Sequence, residues 1–346
     1  MKEPSNLTRR QAVRAAGAAA AVCAASSLAA CSDSGSSSQK TSRRVALILS
    51  GPANDGGWGQ SHYDSLKKAC AERADWRMLD PRENASPTEA ADEAQSYVDQ
   101  GIDLIITSGT QFAGQLHDVV SSAAKKRPNV KFLMTNVTPE TDLADYESLD
   151  NLEVVLPDYE QLGELAGIVA GLMTGTGKIG FVAGMELTSS KEKYEAYVSA
   201  AQKVNPSVTG VADYSAGYTE ASEGRKVAKT LIDRDGVDVI WGDASAAESG
   251  VRQALEEAGS DSHFNIAQPI DRVSADQPTV IASTVIDWMI GQAMDKVVSG
   301  DFGHGNVSEA NMANGGVSLG ALSDKVPADV QAKVSDYAKK VQNGTL

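Results

Sequence analysis

The chain has 346 residues, 42% of them hydrophobic and 22% charged, with a formal net charge of −15 at pH 7. That length and balance fit a soluble globular protein with two domains of ordinary size. The acidic excess argues against nucleic acid and anionic lipid as electrostatic partners. Aromatic residues make up only 5%, so any aromatic outside a core pattern carries information.

Residues 1–30 read as an export signal. Thr8-Arg9-Arg10-Gln11 and Arg14 supply the positive start, and an Ala-rich apolar run follows over residues 15–25. That run is too short and too weakly apolar to span a bilayer. Leu28-Ala29-Ala30-Cys31 places small residues before a cysteine, the cleavage pattern of a bacterial lipoprotein. The thiol of Cys31 would then carry a diacylglycerol, and the Ser-rich residues 31–42 would form a flexible tether. An ordinary secretory signal with an incidental cysteine is the alternative. Arg9-Arg10 fits both twin-arginine export and the charge that any signal needs. Of three cysteines, Cys23 falls in the signal and Cys31 at its end. Cys70 remains alone, so the mature domain can form no internal disulfide. It shares a helical face with Tyr63, Leu66 and Ala74 and reads as a small buried hydrophobe.

From Arg44 onward short β-rich runs alternate with amphipathic stretches. Strands are predicted at 44–49, 76–79, 103–107, 130–135, 178–182, 207–211, 237–241, 264–267, 280–283 and 316–319. Helices are predicted at 60–74, 87–100, 111–127, 159–173, 190–204, 220–234, 246–258, 285–299 and 327–342. Ser86-Pro87-Thr88-Glu89 is a capping box with proline in the first turn, and Gly101 stops that helix. Repeated strand–helix–strand units imply an α/β chain with parallel sheets covered on both faces. Two similar halves are expected, split near residues 137–156.

Ligands of such sheets bind beyond the carboxyl ends of the strands. This rule selects the loops at 51–60, 108–112, 184–188, 215–219, 242–245 and 268–271. Their candidate contacts include Ser108, Phe112 and Met185. In the first loop Asn54, Asp55, Trp58 and Gln60 lie among four glycines. Two readings stand: Trp58 stacks on a planar ligand while Asn54 and Asp55 bond its edges, or the pair caps a helix and Trp58 fills a gap. Tyr218, again just after a glycine, is the counterpart in the second half. Asp243 reads equally as a ligand contact and as a helix N-cap.

No constellation calls for catalysis or for a cofactor. Thr174-Gly175-Thr176-Gly177-Lys178 lacks the spacing of a phosphate loop and reads as a helix-to-strand turn. His62, His117, His263 and His304 are dispersed, so no metal site is expected. No G-x-S-x-G elbow occurs.

At these loops the sequence resembles the basic membrane protein family of bacterial lipoproteins. The marks are Asn54-Asp55 with Trp58, Gln60 and Ser61; residues 163–167; residues 177–186; Asn205-Pro206; and Tyr214-Ser215-Ala216-Gly217-Tyr218-Thr219. The likeness runs from about residue 44 to the last helix. It implies a two-lobed periplasmic-binding-protein fold of the first type, with no enzymatic activity. The first lobe is expected over 43–138 plus about 271–304, the second over 139–270 plus about 305–346. It further implies a monomeric receptor on the extracytoplasmic face of the membrane, handing a nucleoside-like solute to an ABC permease. A sensor presenting its closed form to a signalling partner is the alternative. Trp58 and Tyr218 occupy the positions of the two rings that clamp the purine in nucleoside-binding members. The family's Asp-x-Asp pair is reduced here to Asp271, within Gln268-Pro269-Ile270-Asp271. Its usual lysine after the next strand is replaced by Ile286. Trp288 adds an aromatic nearby, read either as a third ring or as helix packing.

Overall fold

The computed structural model describes residues 42–137 and 149–346. The expected export signal, Cys31 and nearly all of the tether lie outside the described residues.

Strands β1 (Arg43–Ile48), β2 (Trp76–Met78), β3 (Leu104–Ser108), β4 (Lys131–Thr135), β5 (Leu152–Pro157) and β11 (Asn306–Ala310) form one sheet, in the order β11-β5-β4-β3-β1-β2. All its pairs are parallel. Strands β6 (Lys178–Ala183), β7 (Thr209–Asp213), β8 (Val239–Asp243), β9 (Phe264–Ala267), β10 (Val280–Ile286) and β12 (Val317–Leu319) form the other, in the order β12-β10-β9-β8-β6-β7. Only its β10–β12 pair is antiparallel. β3 is buried along its whole length, as a parallel strand covered on both faces must be.

Helices α1 (Trp58–Ala71), α2 (Pro87–Gln100), α3 (Ala113–Lys126) and α8 (Ile290–Ser299) flank the first sheet. Helices α4 (Tyr159–Met173), α5 (Thr188–Val204), α6 (Ala221–Asp235), α7 (Glu248–Gly259) and α9 (Ala328–Gln342) flank the second. The chain passes between the sheets after β5, after β10 and after β11. One apolar cluster runs through both lobes, from Val45 and Leu47 to Phe181 and Trp241. Each lobe adds a further cluster under its other helices.

Local signals behave as their chemistry dictates. The Ser86 hydroxyl accepts from the Glu89 amide at 3.3 Å, and the Glu89 carboxylate accepts from the Ser86 amide at 2.9 Å. Gly101 ends α2 in the left-handed conformation, at φ 64°. The turn at Thr174-Gly175-Thr176 closes on the Asp238 carboxylate, which accepts from the Gly175 and Thr176 amides at 2.7 and 2.8 Å. A carboxylate of the chain itself fills that small amide nest, so it is not a phosphate loop. Cys70 is half-buried against the shared cluster.

The lobe boundaries differ from those expected. β5 belongs to the first sheet, so the first passage comes at 157–159 and not at 138/139. β10 belongs to the second sheet and β11 to the first, so the later boundaries at 270/271 and 304/305 shift as well. Two of these strands were hidden for physical reasons. β5 carries a buried Glu153, held by Lys296 Nζ at 2.9 Å and the Gly303 amide at 3.1 Å. β11 is a largely exposed edge strand with polar residues on both faces. Val285 and Ile286, expected to open a helix, instead extend β10 to pair with β12.

Gly163, Gly167 and Gly171 let α4 lie directly on α5. A side chain at Gly163 would come 2.5 Å from the Lys193 carbonyl oxygen, and one at Gly167 would collide with the Tyr197 carbonyl. Overpacking of this kind costs about 1–3 kcal/mol and sometimes more. Gly167→Leu should therefore lower the thermal midpoint by several degrees. Gly114→Ala, at an exposed helical position with open space around it, should leave the midpoint unchanged or raise it slightly. Differential scanning calorimetry of both variants checks the pair.

Candidate ligand-binding cleft

The loop between β1 and α1 is organised by one carboxylate. Asp55 accepts from the amides of Gly57 (2.8 Å), Gly59 (3.0 Å) and Gln60 (3.0 Å). It does the work of an N-cap from two residues further back, because Gly57 has no side chain to do so. Asn54 is exposed, and the Gln60 amide nitrogen donates to Asp64 at 3.3 Å. Trp58 opens α1, half-buried and packed on the shared cluster. Its ring meets His62 at 5.0 Å and Trp288 at 4.7 Å between centroids.

The second lobe contributes the loops after β6, β7 and β8. Tyr218 is 37% exposed and Met185 55%. Tyr218 lies against Gly184, where any side chain would collide with its ring. Burial and the nearby Asp243 charge push the Tyr218 phenol up to about 12, so it stays a neutral donor. Asp243 is not an N-cap. Its carboxylate takes Lys193 Nζ at 3.0 Å and the Ser190 hydroxyl at 2.9 Å. Lys193 is itself buried and lies 5.7 Å from the Tyr159 ring centroid. The Tyr159 hydroxyl bonds Asn136 Oδ1 at the end of β4. A polar chain thus runs from the first sheet through the first passage to Asp243.

The loops from the two lobes meet. A side chain at Gly57 would press on the second lobe, leaving 2.8 Å to Ser245 Cα. The next residue, Ala246, donates its amide to the Tyr218 carbonyl at 3.0 Å. Trp58 and Tyr218 are therefore linked through adjoining backbone across one mouth. Arg272 reaches over from the β9–β10 loop and donates from Nε to the Gly56 carbonyl at 2.9 Å. Behind Gly242 lies a buried Glu248, which accepts from the Ala244 amide at 3.2 Å and faces Arg252 at 3.7 Å. Burial pushes the Glu248 carboxyl up to about 7 against the pull of Arg252 and the Ala244 amide.

Other expected contacts lie elsewhere. Phe112 is fully buried in the first lobe's own cluster with Ala46, Ile48 and Leu116. Its place after a strand end suggested a contact, but the short turn before α3 points it inward as packing. Ser108 is also fully buried, and its hydroxyl has no bonding partner. Asp271 is exposed and accepts from the Ala321 amide at 2.9 Å and the Val273 amide at 3.2 Å. Trp288 belongs to no helix. It sits in the second passage, fully buried.

A cavity of about 810 Å³ is lined by Thr110, Asn136 and Tyr159 and by carboxylates that include Glu160, Glu192 and Glu195. None of the residues singled out from sequence lines it. Asn136, Tyr159, Lys193 and Arg272 escaped the sequence reading because none stands out within its own loop or helix. Asn136 had one available signal: it directly follows a strand of the first sheet. Among the described residues no group of His, Cys, Asp and Glu could hold a metal ion.

Two parallel α/β lobes joined by three passages, with opposed loops at a common mouth, define a two-lobed substrate-binding protein. The chain belongs to the Bmp family of PnrA-like ABC transporter substrate-binding proteins, whose family model matches residues 42–346. It is 25% identical over 337 residues to the ABC transporter nucleoside-binding protein BmpA of Lactococcus lactis, covering 89% of each chain. It is 23% identical over 305 residues to basic membrane protein A of Borreliella burgdorferi, covering 87% of this chain and 86% of that one. Its fold matches an ABC transporter solute-binding protein from Conexibacter woesei with a TM-score of 0.71 at 23% identity, covering 88% of this chain and 97% of the other. The family binds and delivers solutes and is not enzymatic. No helix among the described residues is long and apolar enough to cross a membrane.

Glu248 sets a pH dependence. Its folded pKa, about 7, lies above the unfolded value near 4.3. The stability it contributes is thus present in full at low pH and lost as pH rises through 7. Glu248→Gln removes that loss. The variant's stability relative to the parent should rise by about 2.5 kcal/mol from pH 5 to pH 8. Urea unfolding at the two pH values checks the sign and size.

Proposed function

We propose that this chain is a lipid-anchored, extracytoplasmic receptor of an ABC importer, and that it holds a nucleoside-like planar solute between its lobes. The observation that carries the reading is the mouth where the Trp58 loop of one lobe adjoins the Tyr218 loop of the other through Gly57, Ser245 and Ala246. Two rings from opposite lobes suit a flat heterocycle, which gains stacking on both faces when the lobes close. The nucleoside-binding relative from Lactococcus lactis supports the same solute class.

The charges of the cavity lining disfavour an anionic solute, since Glu160, Glu164, Glu192, Glu195 and Glu309 border it. Asp243 is neutralised by Lys193, Asp55 is spent on amides, and Asp271 accepts two more. A carboxylate so held keeps acceptor capacity for a hydroxyl or amine edge. The net charge of −15 disfavours a phosphorylated solute at long range. Asn136, which lines the cavity, supports a contact with the polar edge. The lipoprotein-like run Leu28-Ala29-Ala30-Cys31 supports membrane attachment through Cys31.

A thermal-shift screen of nucleosides and nucleobases, followed by calorimetric titration, tests the solute class. Trp58→Ala and Tyr218→Ala should each weaken the best ligand by about 2 kcal/mol or more, as loss of an aromatic anchor does. If no nucleoside or nucleobase shifts the midpoint, the solute assignment fails.

The anchor is tested separately. Cys31→Ser should move the protein from the membrane fraction to the soluble extracytoplasmic fraction and abolish incorporation of radiolabelled fatty acid. Retention in the membrane fraction with undiminished label would overturn it.

A further inference from the structure

A compact network lies behind Trp58, and the proposed clamp does not account for it. The Trp58 carbonyl accepts from the Ser61 hydroxyl at 2.8 Å and contacts His62 Nδ1 at 2.9 Å. A carbonyl can only accept, so Nδ1 carries the imidazole proton. His62 Nε2, 2.7 Å from the Thr135 hydroxyl, is then the acceptor of that pair. His62 is fully buried, and its pKa is lowered to about 3 by desolvation, so the ring is neutral at any ordinary pH.

Trp288 completes the arrangement from a different part of the chain. Its ring stacks on His62, with centroids 4.0 Å apart and planes inclined at 18°. It meets Trp58 at 68°. Its indole N–H donates to Ser61 Oγ at 2.9 Å. The hydrogen bonds therefore run one way, from Trp288 to Ser61 to the Trp58 carbonyl. Trp288 lies in the passage between β10 of the second sheet and α8 beside the first.

We propose that Ser61, His62 and Trp288 are positioning residues that hold Trp58 in one orientation at the cleft, and that Trp288 ties this orientation to the segment connecting the lobes. The inference rests on Trp58 being a ligand-contacting ring, as argued above. Four contacts act on a single residue: two hydrogen-bond donors on its carbonyl, and two rings against its indole. Prefixing a ring this way lowers the ordering cost of stacking on it. Because the passage changes its backbone angles when lobes hinge, Trp288 transmits closure to the aromatic wall.

One arm of the test needs no ligand. The chain has four tryptophans, so 5-fluorotryptophan labelling gives a small set of 19F resonances, with that of Trp58 assigned by its loss in Trp58→Phe. Ser61→Ala keeps both rings and cuts the hydrogen-bond chain. It should broaden or split the Trp58 resonance while those of Trp76 and Trp241 stay in place. A Trp58 resonance of unchanged width and position in Ser61→Ala would overturn the proposal.

The second arm uses adenosine as the probe. Trp288→Phe should weaken its binding by about tenfold, within the usual range of coupling between contacting residues. In the Trp58→Phe background most of that loss should vanish. A loss that persists undiminished there would show that Trp288 acts independently of Trp58, and the proposal falls. If adenosine fails to bind the parent protein, the nucleoside reading is in trouble, while the 19F resonance of Trp58 still decides the positioning role.

Discussion

The structure around the mouth depends on a close approach of backbones at Gly56 and Gly57. A side chain at Gly57 would press on Ser245, and one at Gly56, where φ is +72°, would run into the Arg272 guanidinium. A larger residue at Gly57 would hold the lobes apart at the Ser245 backbone, whereas one at Gly56 would displace the Arg272 side chain. Arg272 uses that closeness by donating to the Gly56 carbonyl from across the gap. Asp55 makes the loop rigid enough to serve as a contact surface, since its carboxylate gathers three amides at the start of α1 that have no partner within the helix. Position and rigidity thus come from different residues of one short segment.

The shared apolar cluster explains how two lobes form one body. Trp76 and Leu66 of the first lobe belong to the same cluster as Phe181 and Trp241 of the second, with Ile286 and Trp288 of the second passage between them. Motion between the lobes has to occur with this seam intact, because opening it would expose apolar area at about 25 cal/mol per Å². Hinging about the passages leaves the seam buried while the mouth, which is lined by loops and polar groups, opens to water.

Much of the architecture was legible in the sequence. The limits of α2, α4 and β9 could be read from capping chemistry and periodicity, as residues 87–100, 159–173 and 264–267. The alternation of strands and helices was enough for two parallel sheets. What stayed hidden was structure whose sequence signal is cancelled by a distant partner. Glu153 breaks the apolar run of β5, and only Lys296 and the Gly303 amide, far along the chain, make its burial tolerable. The site shows the same division. Trp58 and Tyr218 stood out as aromatics in glycine-rich loops. Phe112 stood out only for its place after a strand end and proved to be core, because a short turn reverses its direction. Lys193 and Arg272 gave no signal, since a charged residue on a helix or loop is ordinarily solvated surface.

Lys193 and Arg252 carry much of the electrostatic logic. A buried carboxylate without a partner is expensive, and a cation that fully satisfies it leaves little net field for a ligand. Asp243 has Lys193 as its partner and Glu248 has Arg252, yet Glu248 still sits close to neutral pKa because burial outweighs the attraction. The balanced pairs therefore sit beside a cavity lining that also carries carboxylates, among them Asp158, Glu160 and Glu192. Such a lining discriminates by hydrogen-bond pattern and shape, since a misplaced donor or acceptor leaves a buried group unpaired. On the proposed reading, selectivity among flat solutes of similar size would rest on the polar edge presented to Asn136 and Asp243, while the rings of Trp58 and Tyr218 would supply affinity common to all of them.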